Sequence, residues 1–429
     1  ALVLSVMIPP VLLVAAWNTK SFRARHWLLT VFVAYYAATL PIAYDPLGQG
    51  ADGVRHLLSV YVHYMDMSWG QFLSDTGSIL LFQGAPGSND LFKHALSFLV
   101  GGVLGVPELF FPIVGLVYGY FFVGSMLIIL KDLKLGKLPW VIIFLGLCFF
   151  LTRNIESLQA VRNPTAGWML IYGILSYQQT RRWRYLALMA ATPLVHFSFL
   201  LIALPAFLYL VIGNRPMLYA VAFSLSLFVD FVSPDAAVDL ITSVEIGEDK
   251  LRALPEGGRP GGEDRAMRLE QQMEGGIRLW RAYMQAGYQR IALNILIFAL
   301  ILSGAYFAMS RYAQTIFSNG LVFLTASNAL WFLSGATGRI WGVGFLLVMA
   351  GFLLWRLSPD FTLRGVNSRG TYIVGCYTAA FAFVPYLMFH SSGILDFINI
   401  YIFAMPWLAL ITPEFNLTIK EVLRFVLPI

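Results

Sequence analysis

LTRNIESLQAVRNPTAGWMLIYGILSYQQTRRWRYLALMAATPLVHFSFL, residues 151–200, sets Arg153, Arg162 and His196 into otherwise apolar text. A charged side chain at bilayer depth costs about 2.5–3.5 kcal/mol even on the most lenient scale, so such residues usually face a cavity and mark a substrate path. The same stretch points to the fold class. Apolar runs of helical length, interrupted by the basic loop of Arg181, Arg182 and Arg184, read as short membrane helices joined by a tight connection.

The composition extends that reading to the whole chain. Of 429 residues, 58% are hydrophobic and 12% charged, against the roughly one quarter charged residues of a water-soluble domain. The mean hydropathy is +0.71. The 34 Phe, 20 Tyr and 11 Trp suit bilayer-facing surfaces with aromatic belts. The formal charge of +6 is concentrated in short loops, which points to membrane orientation rather than nucleic-acid binding. Two cysteines, Cys148 and Cys376, both inside apolar runs, make neither a disulfide framework nor a metal centre. The first apolar run is read as a span rather than a cleavable leader.

The expectation is an all-α, polytopic transmembrane protein forming a single domain over residues 1–429. Spans are placed at 2–16, 27–44, 107–130, 139–152, 164–177, 185–198, 199–213, 217–233, 291–309, 314–334, 339–356, 371–390 and 394–411, about 13 in all. Four basic loops, around Lys20, Lys131, Arg181 and Arg364, fall on one side of the membrane under this parity and are assigned to the cytoplasm. Two long segments then lie outside. Residues 45–107 contain VRHLLSVYVHYMDMSWGQFLSD, spaced as an interfacial helix, and LFKHALSFLVGGVLG, read as re-entrant or in-plane. Residues 234–290 open with LPEGGRPGGED, read as a lid, and continue as an amphipathic helix up to Arg290.

The unusual polar residues converge on the outer level. Asn163-Pro164 is a helix-start signal, with Asn as cap and Pro in the first turn, and Arg162 immediately precedes it. A helix N-terminus beside an arginine suits phosphate oxygens. Arg339 follows the small-residue run SGATG in the same manner. The alternative for both arginines, and for Arg153, is snorkelling to headgroups or pairing with carboxylates. His196, between two short apolar pieces, is either a hydrogen-bonded core histidine or a residue that accepts a proton from a sugar hydroxyl. Asp52, in GQGADGVRHL with Arg55 three residues on, is either a catalytic base or a helix cap. Asp75 and Asp90 flank a Gly/Ser-rich loop and are candidates for contacts with sugar hydroxyls. No metal site is expected: His196 has no second histidine at ligand spacing, and His56 and His63 are more simply residues of the interfacial helix.

Absences narrow the chemistry. No phosphate-binding Walker loop, G-x-S-x-G elbow or H-E-x-x-H motif is present, which excludes ATP-driven pumping and lipase-like or zinc-protease reactions as readings. The chain resembles the Wzy-type, EpsG-like polymerases of bacterial exopolysaccharide and O-antigen assembly. The likeness rests on GADGVRHL, on AVRNPTAGWMLIYGILSYQQTRRWRYLALMAATPLVHFSF, and on SGATGRIWGVGFLL. The resemblance implies a GT-C-like membrane glycosyltransferase architecture in the bacterial inner membrane, active on the periplasmic side.

Its implied substrate is an undecaprenyl-pyrophosphate-linked oligosaccharide, handled without a cofactor. Its implied partners are membrane lipids and the chain-length and export proteins of the same pathway, with no nucleic acid. Asp52 and His196 are then the candidate catalytic residues. Arg55, Arg153, Arg162, Arg290 and Arg339, with Asp75 and Asp90, are the candidate substrate-binding set. Two other readings stay open: another polyprenyl-phosphate-dependent transferase or O-antigen ligase, and a flippase or exporter of lipid-linked sugars.

Overall fold

A computed structural model describes residues 2–40, 52–81, 83–133, 138–152, 155–228, 277–330, 334–394, 398–411 and 417–426. Among these residues the fold is helical, with isolated β-bridges and no named strand. The principal helices are α1 Phe22–Ala38, α2 Asp52–His63, α3 Trp69–Leu80, α4 Leu91–Ser97, α5 Phe110–Ile129, α6 Trp140–Thr152, α7 Arg162–Thr180, α8 Trp183–Ala190 and α9 Thr192–Val195. They continue as α10 Pro216–Ser226, α11 Ile277–Leu302, α12 Arg311–Ala329, α13 Ser334–Leu357 and α14 Arg369–Ile394.

Among the described residues, four helical segments are long and apolar enough to cross a membrane: Pro107–Ile129, Trp140–Ala160, Thr337–Leu357 and Arg369–Met388. Several of the other expected spans are divided into helices shorter than a span, and the reason is geometric. A helix rises about 1.5 Å per residue against a hydrocarbon core of about 30 Å. The run at 2–16 breaks at Pro9-Pro10 into Leu2–Ser5 and Val11–Asn18. The runs at 185–198 and 199–213 break into α8, α9 and the short helices Phe199–Ile202 and Leu204–Ile212. The run at 394–411 retains only Ile400–Ile402 and Leu408–Ile411. Most of the second long loop, residues 229–276, lies outside the described residues, while Ile277–Leu302 forms one helix through Arg290.

The chain folds as two compact units, where the sequence reading has a single domain. The first comprises 1–132, 150–203 and 391–429, the second 133–149 and 204–390. In the first unit α5 is the central strut, packed against α1 and α7. Small residues set the approach of α1. A Cβ on Gly115 would stand 2.5 Å from the Ala37 Cβ, and one on Gly119 2.9 Å from the Val33 Cβ. Close backbone approach at small residues is how apolar helices gain contact when surrounding lipid removes the hydrophobic drive. Before this strut the chain forms α2, α3 and α4, with α2 against the turn Pro107–Leu109 that leads into α5, and α4 continues as a π-helical turn, Phe98–Val103. That 13-residue element, Leu91–Val103, is about 20 Å long, too short for a span. The stretch read as one interfacial helix is two, divided at Ser68, whose side chain and Gln71 form a reciprocal cap.

In the second unit α12 and α13 pack along their length, with α10 against α12. A Cβ on Gly351 would stand 2.6 Å from the Phe317 backbone nitrogen, so this pair too meets backbone to backbone.

Gly115→Val should lower stability by about 1–3 kcal/mol through overpacking. Gly370→Val, where the added Cβ meets nothing within 4 Å, should be near neutral. Thermal unfolding of both variants in the same detergent gives the comparison.

Candidate functional site

Four short elements of the first unit meet around one carboxylate. Asp90 ends the loop before α4, and its turn is closed by Ser88, whose hydroxyl accepts from the Asp90 N–H at 3.1 Å and donates to the Asp90 carbonyl at 2.9 Å. The side chain points inward, with 1% of its surface exposed. Asp90 Oδ2 accepts from Arg162 Nη1 at 2.5 Å, and Oδ1 accepts the backbone N–H of Phe197 at 2.7 Å. His196 Nδ1 lies 3.3 and 3.2 Å from the two oxygens. Three residues singled out separately in the sequence, 72 and 106 positions from Asp90, thus share one ion-pair network.

Local backbone breaks make that possible. Helix α9 stops at Val195 because His196 is extended, at φ −150° and ψ 117°. The Phe197 N–H is thereby turned onto Asp90. On the other side, the 3-10 turn Ile155–Ala160 leads into Val161 at φ 47° and ψ −71°. This conformation is strained for a β-branched residue, and strain of this kind collects at functional sites. Val161 is fully buried, donates to the Leu158 carbonyl at 2.8 Å and accepts from Thr165 Oγ1 at 2.5 Å.

The cap of α7 is therefore Val161, not Asn163. Arg162 is the first residue of the helix and Pro164 the third, where a missing N–H leaves no helical acceptor unfilled. The Asn163 Oδ1 is buried without a hydrogen-bond partner, as are Gln159 Nε2 and Ser198 Oγ.

Burial alone would raise the Asp90 pKa. The His196 hydrogen bond and charge, the Phe197 N–H and the Arg162 guanidinium outweigh burial and hold it below the ordinary aspartate value. An ionised Asp90 requires Nδ1 of His196 to carry a proton, so that in the neutral ring the lone pair is on Nε2. Lys93 and His56 adjoin this centre. Lys93 donates to the Gly87 carbonyl at 2.6 Å and to Ser59 Oγ at 3.2 Å. Burial and then Arg162 push Lys93 down to about 8, with Asp90 opposing. Burial, then Lys93, Arg162 and Arg55, push His56 down to about 3. At neutral pH one carboxylate thus faces two cationic side chains, Arg162 and Lys93, and the excess is positive.

The other candidates do not appear among the described hydrogen bonds and ion pairs of Asp90. Asp52 and Arg55 pair with each other at 2.8 Å in the first turn of α2, both largely exposed. Asp75 lines a polar cavity of about 340 Å³ with His63, Asp66 and Gln71, in which neither Arg162 nor His196 takes part. Asp90, expected at a sugar hydroxyl, is enclosed by three donors and anchors the cluster, with 1% of its side chain exposed. Arg153 lies outside the described residues. Arg339 belongs to the second unit, and as the sixth residue of α13 it sits beyond the helix start instead of at it. Arg290, also in the second unit, stands over the Trp341 ring at 5.7 Å. Among the described residues no group of three or more His, Cys, Asp and Glu side chains is placed to hold a metal ion.

Lys93 and His56 are the members that sequence reasoning missed. The available signal was a lysine inside the apolar run LFKHALSFLV, the same kind of signal that marked Arg162. Comparison with known proteins finds no matching family model, no similar curated protein and no similar solved structure.

Two measurements probe this network. Asp90→Asn should destabilise the protein by about 3 kcal/mol, because a buried cation loses its counter-charge. A change below about 1 kcal/mol in equilibrium unfolding would place the network at the surface energetically. His56 is neutral when folded and protonates when unfolded, so stability is complete above pH 6.5 and falls as pH drops toward about 3. The loss is on the order of 4 kcal/mol. Asp90, held low, adds its own loss only below its ordinary value of 3.8. His56→Leu should flatten the upper part of this window, which stability curves between pH 7 and 4 would reveal.

Proposed function

We propose that this chain is a polysaccharide polymerase of a bacterial inner membrane, acting at the periplasmic face on undecaprenyl-pyrophosphate-linked oligosaccharides. The observation that carries the reading is the Asp90–His196–Arg162 network, a base held in one tautomer beside a guanidinium. In the reaction, the acceptor sugar hydroxyl attacks the anomeric carbon of the donor chain. The carbon–oxygen bond to pyrophosphate breaks as the new glycosidic bond forms, and the hydroxyl proton passes to His196 Nε2. Asp90 stabilises the resulting imidazolium, as a buried carboxylate does for a catalytic histidine in acyl transfer. The leaving pyrophosphate gathers negative charge, which the remaining Arg162 donors and the Lys93 charge offset.

Exposure fits these roles. Asp90 is enclosed, His196 is 12% exposed, and Arg162 is 30% exposed, so the two groups assigned to substrate have surface to offer it. Asp52 has no such support, since its carboxylate pairs with Arg55 in solvent. His196 is therefore the base in this reading. Four helices of spanning length and composition support a membrane setting, while sidedness and organism belong to the proposal.

Purified protein given a lipid-linked repeat unit should yield a ladder of products, and a single added unit would instead mean a simple transferase. His196→Ala should reduce extension by about 10²–10⁴-fold. Arg162→Ala should abolish extension while detergent-solubilised protein stays folded. If either variant makes full-length polymer at the parental rate, the site is structural.

A further inference from the structure

A second site lies in the second unit, at the C-terminal end of α13. Arg356 is 8% exposed, sits in the last turn of that helix, and makes no hydrogen bond or ion pair among the described residues. Its Nε is fully enclosed without an acceptor. The contact it does make is with the Phe361 ring, 3.7 Å from the guanidinium carbon to the ring centre. Tyr372, on α14, is 5% exposed and close enough to feel the Arg356 charge, and its enclosed hydroxyl has the Cys376 thiol, a weak hydrogen-bonding group, beside it. Trp355 bridges the two, with ring centres 5.0 Å from Phe361 and 5.8 Å from Tyr372.

A buried guanidinium nitrogen without an acceptor is costly, because it loses water and gains nothing in return. Stacking on the aromatic face offsets part of that cost and leaves Nε unfilled. A structural arginine at a helix C-terminus would use its donors on the terminal carbonyls, and Arg356 does not. The loop between α13 and α14 also carries exposed Arg364 and Arg369 against a single carboxylate, Asp360, likewise exposed. We propose that Arg356 and Tyr372 form an anion site for a phosphate group, with Phe361 as the displaceable cover and Arg364 and Arg369 as the attracting rim. A planar guanidinium and a phenolic hydroxyl are both donors suited to the oxygens of a tetrahedral oxyanion. The phosphate is carried either by a lipid headgroup or by a free ion.

The experiment is a thermal-unfolding comparison of the full chain in neutral detergent with Arg356→Met and Phe361→Ala. Inorganic phosphate is added in one arm and phosphatidylglycerol in mixed micelles in the other. Replacing an unpaired buried cation with an apolar side chain is benign, so Arg356→Met should unfold at or above the parental temperature without additions. The parental protein should gain about 2 °C or more with the ligand, by preferential binding to the folded state. Arg356→Met should lose that gain, and Phe361→Ala should keep or enlarge it. A gain with inorganic phosphate identifies a free anion, and one confined to phosphatidylglycerol identifies a headgroup. An equal gain in Arg356→Met, or no gain in either arm, overturns the assignment.

Discussion

A carboxylate shut away from water keeps its charge only when donors replace the solvent it has lost. Asp90 meets that condition through three donors that arrive from two separate parts of the first unit: the Arg162 guanidinium from one, the His196 ring and the adjoining Phe197 N–H from the other. Each arrival depends on a local departure from regular helix. Val161 turns the chain at a positive φ so that α7 opens on Arg162. His196 ends α9 and frees the next N–H. The Ser88 turn carries Asp90 into place. Without the carboxylate, Arg162 and Lys93 would be left facing each other in a poorly solvated space, which is the repulsion already visible in the lowered Lys93 pKa.

The same network sets the chemical character of the site. An ionised Asp90 fixes the tautomer of His196, and a fixed tautomer defines which nitrogen can take a proton. At neutral pH two cationic side chains against one carboxylate leave positive potential for an anionic group. These properties suit the displacement of a pyrophosphate by a hydroxyl, and a neutral His56 beside them adds a buried group whose charge responds to acid. The close helix contacts at Gly115 and Gly119 hold α1 on α5, the strut against which the site's helix α7 packs. Packing and chemistry are therefore joined through α5.

Much of this was legible in the sequence, residue by residue. Arg162 and His196 stood out because charge in apolar text is expensive, and Asp90 because it bordered a Gly/Ser loop. Their meeting was not legible, since contacts 72 and 106 residues apart leave no periodic trace. Asp90 was read as a sugar contact because sequence gives no burial for a loop carboxylate. Asn163 was read as the cap from residue preference, whereas the preceding 3-10 turn places Val161 there. The helical class was evident from hydropathy, but hydropathy does not mark where Pro9-Pro10 or the extended His196 divides an apolar run. Apolar runs and helices of spanning length therefore do not correspond one to one among the described residues. Arg356 went unnoticed because an arginine near a helix end is the ordinary place for one, and its lack of an acceptor exists only in three dimensions.

A double-mutant cycle on the rate of chain extension tests most directly whether Asp90 acts through His196. Asp90→Asn and His196→Gln, alone and together, would be assayed as folded protein with a lipid-linked repeat unit. If the carboxylate works by orienting the imidazole, the double variant should be about as slow as the slower single one, since the two act as one unit. Losses that multiply would show independent roles, and the central place given to the Asp90–His196 pair would then be wrong.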